Sequence, residues 1–274
     1  MTKIKNIGSI PQLGFGTWNH DGLEAYNITR WALETGYRHI DTAEGYNNEE
    51  HVGRAISESG VARKEIFITT KIAPESYAPG KIMEHVKTSL EKLRVDQVDL
   101  LLLHWPSIKD QYDVNDYVQQ FAEVYDAGLT KHIGVSNFTM KYLDAALRIL
   151  GKRPITTNQC EIHVLHQNHI IVDYCKSKNI PMTAYSPLAR GALTDNSALV
   201  AIGKKHNASA NQVALAFLMH EGYAVIPSSS NKNRIKENFD SKDVALTSED
   251  MIAIRKLDQN RRLVDGTWCP VWDT

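Results

Sequence analysis

The chain has 274 residues, 42% hydrophobic and 23% charged, with a formal net charge of −1. That balance is enough for a sizeable core and gives no electrostatic reason for a nucleic-acid or anionic-membrane partner. No apolar run approaches the ~18 residues of a membrane span, and the start "MTKIKNIGSI" lacks the apolar run of a signal peptide, so a cytoplasmic protein is expected. Cys160, Cys175 and Cys269 are odd in number and far apart, which predicts inert thiols rather than a disulfide framework or a metal site.

In chain order, residues 3–12 carry the turn "NIGS" between two Ile-bearing arms and predict a hairpin at the floor of the fold. Eight β-rich runs follow: "QLGFGTW" (12–18), "YRHIDTA" (37–43), "EIFITTK" (65–71), "VDLLLLHW" (98–105), "KHIGVSN" (131–137), "ITTNQCE" (155–161), "PMTAYSP" (181–187) and "YAVIPSS" (223–229). Amphipathic segments separate them. Residues 23–35 and 140–150 read as helices, and Ile82, Val86, Leu90 and Leu93 fall on one helical face. Ser209 with Gln212 is a capping-box pattern ahead of "NQVALAFLMH".

Eight strands alternating with helices predict an α/β fold, a (β/α)8 barrel formed by residues 1–274 as one domain. A doubly wound open sheet is the competitor. It would show a glycine-rich phosphate turn after the first strand, and "GFGTW" has neither the third glycine nor a helix directly after it.

Function in such a barrel sits at the C-terminal strand ends. These ends carry Trp18, Asp41, Lys71, His104, Ser136, Asn137, Asn158, Gln159, Tyr185, Ser228 and Ser229, with Tyr46 on the loop after Asp41. Asp41 is expected to pair with Lys71. Singly, each residue also fits a plain reading: a structural ion pair, a strand-end histidine bonded to backbone, a loop aromatic. Together they suit carbonyl chemistry. An ammonium beside a phenol lowers its pKa, a carboxylate keeps the ammonium charged, and a histidine donor fixes a carbonyl oxygen. That set supplies no hydride, so a reduced cofactor is required. Lys71 as a Schiff-base amine of an isomerase or aldolase is the rival, and a paired Asp41 argues against it by raising the lysine pKa.

With "GFGTW", "GYRHIDTAEGYNNEEHVGRAI", "IFITTK", "VDLLLLHWP", "IGVSNF", "TNQCEIH", "AYSPLARG" and "IPSSSNKNRIKEN" in order, the chain resembles the aldo-keto reductases from end to end. It is most similar to their compact bacterial branch, the 2,5-diketo-gluconate reductase type. The resemblance implies NAD(P)H-dependent reduction of aldehydes and ketones by a tetrad of Asp41, Tyr46, Lys71 and His104. It implies cofactor contacts from Asp41, Ser136, Asn137 and Gln159, with Tyr185 stacked on the nicotinamide. Gly16, Thr17, Trp18, Ser186, Leu188 and Gly191 would line the mouth or the pyrophosphate path. Ser228, Ser229, Lys232, Arg234, Glu237 and Asn238 would hold the adenosine end, and Trp18, Tyr46, His104 and Trp105 would meet the substrate.

Two departures matter. Ser228 replaces a lysine that many relatives use for the 2′-phosphate, and Lys232 follows four residues later, so NADPH is expected with NADH as the alternative. "EIHVLHQ" (161–167) replaces a His-Pro-Tyr pattern and is read as local loop change, with His163 structural. Tyr77, Trp268 and Trp272 join Trp18, Tyr46 and Trp105 as candidates for an aromatic pocket wall. Small aldehydes, dicarbonyls such as methylglyoxal and keto-sugar acids such as 2,5-diketo-gluconate are the expected substrates. No metal is expected, and a monomer is. The alternative function is a cofactor-bearing regulatory subunit, as in potassium-channel beta subunits.

Overall fold

A computed structural model describes residues 4–274, so Lys3 of the expected hairpin lies outside the described residues. The hairpin is present as β1 (Asn6–Ile7) and β2 (Ile10–Pro11), paired antiparallel. Eight parallel strands follow: β3 (Phe15–Gly16), β4 (His39–Asp41), β5 (Phe67–Ile72), β6 (Val98–Leu103), β7 (Thr130–Ser136), β8 (Ile155–Glu161), β9 (Met182–Tyr185) and β10 (Ala224–Val225). The helices are α1 (Gly22–Thr35), α2 (Glu49–Ser57), α3 (Ile82–Leu93), α4 (Val114–Asp126), α5 (Met140–Leu150), α6 (His169–Ser177), α7 (Ser197–His206), α8 (Ala210–His220), α9 (Lys232–Asp240) and α10 (Ser248–Arg255). Each strand pairs with its neighbour in sequence, and Leu13 meets Val225 to join the first strand to the last. The chain is a (β/α)8 barrel. Among the described residues no helix is long and apolar enough to cross a membrane.

The seam explains the two glycines of "GFG". A Cβ on Gly14 would lie 2.5 Å from the His39 ring, and one on Gly16 would lie 2.9 Å from the carbonyl oxygen of Ile226. They allow close backbone approach and do not form a phosphate turn. The N–H of Gly14 donates to Val225 O (2.9 Å), that of Val225 to Gln12 O (2.8 Å), and that of Gly16 to Pro227 O (3.1 Å). The first and last strands are shorter than the expected 12–18 and 223–229. Pro227 has no N–H to extend the ladder, and the residues beyond it build the mouth instead.

Alternation along the strands sorts the two cores. Ile40, Ile68, Leu101 and Leu103 pack in the large core with the helices, where α3 contributes Ile82, Val86, Leu90 and Leu93. Leu100 and Leu102 point the other way and meet Ile10 and Ala224 in a separate cluster, with Phe67 beside them. Ile10 of the hairpin therefore plugs the barrel floor. Above it the interior turns polar: His39 bonds Thr69 (3.0 Å) and Thr157 bonds Thr183 (2.9 Å). The capping box of α8 forms in full, with Ser209 Oγ accepting from Gln212 N (3.2 Å) and Gln212 Oε1 accepting from Ser209 N (3.0 Å).

Candidate active site

The same alternation carries Asp41 and Lys71 to the top of the barrel on neighbouring strands. The Lys71 ammonium donates to Asp41 Oδ1 (2.5 Å), to Thr42 O (2.8 Å) and to the Tyr46 hydroxyl (3.2 Å). Gln159 on β8 donates to the other Asp41 oxygen (2.8 Å). Asp41 and Lys71 are fully buried, so the pair depends on these contacts. Burial alone would depress the lysine pKa, but Asp41 and Tyr46 outweigh it and hold the ammonium above its ordinary value. A neutral amine for Schiff-base chemistry is therefore disfavoured.

Tyr46 sits in a short helical turn, Glu44–Tyr46, directly after β4. Buried Asn48 ties down the far side of this turn. It accepts from Thr42 Oγ1 (2.7 Å) and donates to Thr17 O (2.9 Å) and His20 O (2.8 Å). Glu44 ties down the near side, accepting from Ala73 N (3.0 Å), from Ser76 Oγ (3.0 Å) and from His85. The ring of His104 meets the Tyr46 ring edge-on at 5.4 Å.

The electrostatics depart from the expectation in one respect. Burial raises the Tyr46 pKa, and this outweighs the downward pull of the Lys71 charge and hydrogen bond, while Asp41 adds a smaller upward push. Lys71 thus offsets desolvation and does not bring the phenol below its ordinary value. Burial, reinforced by the Lys71 charge, holds His104 well below the usual imidazole value, so its ring is neutral and can donate one hydrogen bond.

Beside this group lie the strand ends of β7, β8 and β9. Asn137 donates to Ser136 Oγ (3.0 Å) and to His104 O (3.2 Å), and Tyr185 donates to Asn137 Oδ1 (2.9 Å). Ser136 Oγ donates to Gln159 O (2.8 Å). Asn137 (φ 60°) and Ser186 (φ 48°) hold left-handed backbone, a strained arrangement that clusters at functional sites. Leu188 precedes a turn at Ala189–Gly191, which Gly191 ends, and the Arg190 guanidinium lies 5.0 Å from the ring of half-exposed Trp18.

Residues 228–238 form a second group, away from the buried pair. Ser228 Oγ is 3.1 Å from His20 Nε2, and Ser229 Oγ accepts from Arg234 Nε (3.2 Å). Lys232 opens α9, but its ammonium pairs with Glu34 of α1 (3.1 Å). Asn231 caps the helix by accepting from Asn233 N (2.9 Å) and Arg234 N (3.1 Å). The Glu237 carboxylate accepts from Ser209 Oγ (2.5 Å), and Asn238 is buried.

A cavity of about 380 Å³ opens beside His104, lined by Gly45, Ala73, Trp105, Ile108 and Trp268 among others. Trp272 lies 6.1 Å from Trp105. Tyr77 is not part of this wall. It is fully buried, stacks on Tyr117 and donates to the Trp105 carbonyl (2.9 Å), supporting the wall from behind.

The Aldo/keto reductase family model matches residues 12–259. The chain belongs to the aldo/keto reductase family. It is similar to methylglyoxal reductase DkgB of Escherichia coli O157:H7, with 42% identity over 97% of this chain and 100% of that protein. It is also similar to the glyoxal reductase of Bacillus subtilis (strain 168), with 40% identity over 95% of this chain and 94% of that one. Among solved structures, the aldo-keto reductase MGS-M4 from a Medee basin deep-sea metagenome library superposes with a TM-score of 0.89. It is 38% identical over 96% of each chain.

Two residues of this aldo/keto reductase site escaped the sequence reading. Asn48 and Glu44, which hold the Tyr46 turn, lie on a loop where no periodicity assigns a direction. Outside that site, Glu161 was not singled out although the sequence carries the signal: it lies two residues beyond Gln159 on the same strand, so the strand period puts it on the same face.

Proposed function

We propose that this aldo/keto reductase uses NADPH to reduce small aldehydes and dicarbonyls, methylglyoxal first among them, to alcohols, with keto-sugar acids such as 2,5-diketo-gluconate as further candidates. The observation that carries the reading is the buried chain of hydrogen bonds from Asp41 through Lys71 to the Tyr46 hydroxyl, opening beside His104 on an aromatic-walled cavity. The names of the similar reductases of methylglyoxal and glyoxal support the substrate class.

The residues at the strand ends suit a nicotinamide cofactor. Ser136, Asn137 and Gln159 bring amide and hydroxyl groups together for a carboxamide, with Tyr185 beside them as a stacking surface. Gly16, Thr17, Ser186, Leu188 and Gly191 would line the path to the phosphates. Arg234 and the α9 start would meet the 2′-phosphate, with Ser228, Ser229 and Lys232 around them. Glu237 and Asn238 would flank the adenosine. When bound, reduced nicotinamide supplies a hydride.

The protein's own residues supply the proton. The substrate oxygen sits between the Tyr46 hydroxyl and the neutral His104 ring, with Trp18 and Trp105 beside it. Tyr46 donates its proton as the oxygen gains charge, and Lys71, 3.2 Å from the phenolic oxygen, stabilises the phenolate left behind. Asp41 and the Thr42 carbonyl hold the ammonium in place. The aromatic wall removes water from the reacting oxygen and strengthens each of these interactions.

The test is a substrate panel of methylglyoxal, glyoxal, 2,5-diketo-gluconate and simple aldehydes, followed by the absorbance of NADPH and, separately, NADH. Turnover of dicarbonyls with NADPH is expected. A purified chain that binds NADPH but consumes it with no carbonyl would defeat the reading.

A further inference from the structure

The C-terminal tail after α10 contains no helix or strand, yet it follows one defined path over the barrel mouth. Its first attachments are to the loop after β8. The N–H groups of Gln259 and Arg261 both donate to Leu165 O, at 3.1 and 2.9 Å. The next attachment is to a charge. Glu161, at the end of β8, is fully buried, and its two oxygens accept from the N–H groups of Leu263 (2.7 Å) and Val264 (2.8 Å). Buried His163 lies 2.9 Å from the Leu263-bound oxygen and holds the carboxylate from the other side. His163 is itself fixed by a two-way backbone exchange with His166, at 3.0 and 2.9 Å.

Downstream of this clasp the tail reaches the cavity. Trp268 lines it together with His104. Trp272 meets Trp105, the Arg262 guanidinium lies 3.8 Å from the Trp272 ring, and the indole N–H donates to Asp265 (3.0 Å). Asp273 accepts from Met140 N at the start of α5 (3.0 Å). The tail's share of the wall, Trp268 with Trp272 against Trp105, therefore comes from a segment without secondary structure, and its path depends on such anchors.

A buried carboxylate is costly unless its oxygens are satisfied. Here two of its donors are consecutive backbone amides of the tail. If the tail is displaced, the charge is left unpaired. If the charge is removed, two amides of the tail lose their acceptor. Burial opposes ionisation of Glu161, but His163 and the two amides outweigh it and hold the carboxyl below its usual range.

We propose that Glu161 is the positioning residue of the substrate pocket: its carboxylate clasps Leu263 and Val264 and thereby fixes Trp268 and Trp272 as the outer wall over His104 and Trp105. The proposal rests on the carbonyl-reductase reading above and adds a residue remote from the proton-donating group. Asp41 and Lys71 lie on β4 and β5, Tyr46 on the turn after β4 and His104 just after β6, none of them on β8, so losing the clasp weakens substrate binding and leaves the chemical step intact.

The experiment combines amide hydrogen exchange by mass spectrometry on the peptide spanning 261–274 with steady-state kinetics on methylglyoxal and NADPH. In Glu161→Ala the tail peptide loses protection through the loss of both charge-assisted amide contacts, and KM rises about tenfold as the wall loosens, while kcat and the NADPH Kd hold. Glu161→Gln keeps the volume and one acceptor, and recovers part of both effects. Trp268→Ala raises KM comparably with the clasp intact, and adding it to Glu161→Ala changes KM little further. An unchanged tail exchange in Glu161→Ala overturns the clasp. Faster tail exchange with an unchanged KM overturns its link to the pocket. Faster exchange throughout the barrel in both Glu161 variants marks an ordinary core residue and overturns the proposal. A wild-type chain that reduces no carbonyl strikes the reductase reading and the pocket link with it, and the exchange arm still decides the clasp.

Discussion

The buried pair at the barrel mouth and the exposed segment at 228–238 carry charged groups in opposite ways. Asp41 and Lys71 project from neighbouring parallel strands, are shielded from water, and have their hydrogen bonds made by Thr42, Tyr46 and Gln159. Lys232 and Arg234 lie on the first turn of a helix, face solvent, and are engaged with Glu34 and Ser229. The first geometry follows from strand register and leaves little freedom. The second is held by weak, screened contacts that a ligand can exchange for its own. On the proposed reading, the barrel keeps its chemistry rigid and the charges that would face the cofactor adjustable.

The strongest way to break this comparison is at the pair. Lys71→Met removes both downward pulls on the Tyr46 pKa and leaves the upward push of Asp41. It also leaves a buried carboxylate without its cation, a change that costs about 3–5 kcal/mol in such pairs. Turnover should vanish and Tm should fall. Tyr46→Phe removes only the hydroxyl, so the rate should drop by ~10²–10⁴ with NADPH affinity retained. Asp41→Asn lowers the Lys71 pKa but should be milder than Lys71→Met, because the amine stays beside the phenol through its bonds to Thr42 O (2.8 Å) and the Tyr46 hydroxyl (3.2 Å). Single-turnover rates and thermal melts on the three variants check the order. Near wild-type turnover in Tyr46→Phe would remove that phenol from the mechanism.

At the exposed segment the expected losses are smaller and confined to binding. Arg234 offers a planar fork to a phosphate, and its present partner is a neutral hydroxyl 3.2 Å away. A charge-assisted phosphate contact contributes ~1.5–3 kcal/mol, so Arg234→Ala should weaken NADPH binding roughly 10–150-fold and NADH far less. Quenching of tryptophan fluorescence gives both dissociation constants. Equal losses for the two cofactors would mean that Arg234 does not read the 2′-phosphate.

How much could be read beforehand follows the same division. Asp41, Lys71 and Gln159 were placed in one mouth because each ends a strand and strand ends converge in a closed barrel. The hairpin plug, α5 and the α8 capping box were legible from local pattern. The Tyr46 pKa direction was not, because the sequence shows the neighbouring charge but not the depth of burial that outweighs it. Tyr77 looked like pocket wall because an aromatic on a loop can face either way, and only packing on Tyr117 decides it. The tail was opaque for a related reason: its path is set by Glu161, 102 residues earlier in the chain than the first amide it holds.

Acid should expose the barrel and spare the exposed segment. His104 and His39 are held below their ordinary values chiefly by burial, and His166 is lowered to about 4 by burial and by Arg262 nearby. In the unfolded chain all three bind protons near pH ~6.5. The unfolded state therefore holds more protons below that pH, and stability falls as pH drops from ~6.5 toward the folded values. Thermal melts between about pH 7 and pH 4.5 should show this decline, and His166→Leu should flatten it. A slope unchanged in His166→Leu would assign the acid sensitivity to other groups.

The smallest effect is expected at Lys232, and it distinguishes a charge that is merely present from one that is available. Lys232 stands four residues after Ser228 and is the obvious substitute for a lysine at that position. Its ammonium, however, bonds Glu34 Oε2 at 3.1 Å and lies 5.9 Å from the Trp31 ring. Lys232 in turn helps hold the Glu34 carboxyl below its usual range. To reach a phosphate the lysine must leave this partner and order its long stem in a new geometry, so the net gain is a difference between two solvated contacts. Exposed pairs of this kind contribute about 0–1 kcal/mol, so Lys232→Ala should weaken NADPH binding less than about fivefold. Glu34→Gln, which frees the ammonium, should tighten NADPH binding slightly and steepen its salt dependence. Titrations at low and high ionic strength measure both. A loss in Lys232→Ala as large as that in Arg234→Ala would mean that the Glu34 pair does not hold in solution, and that the exposed segment reads the phosphate with two cations rather than one.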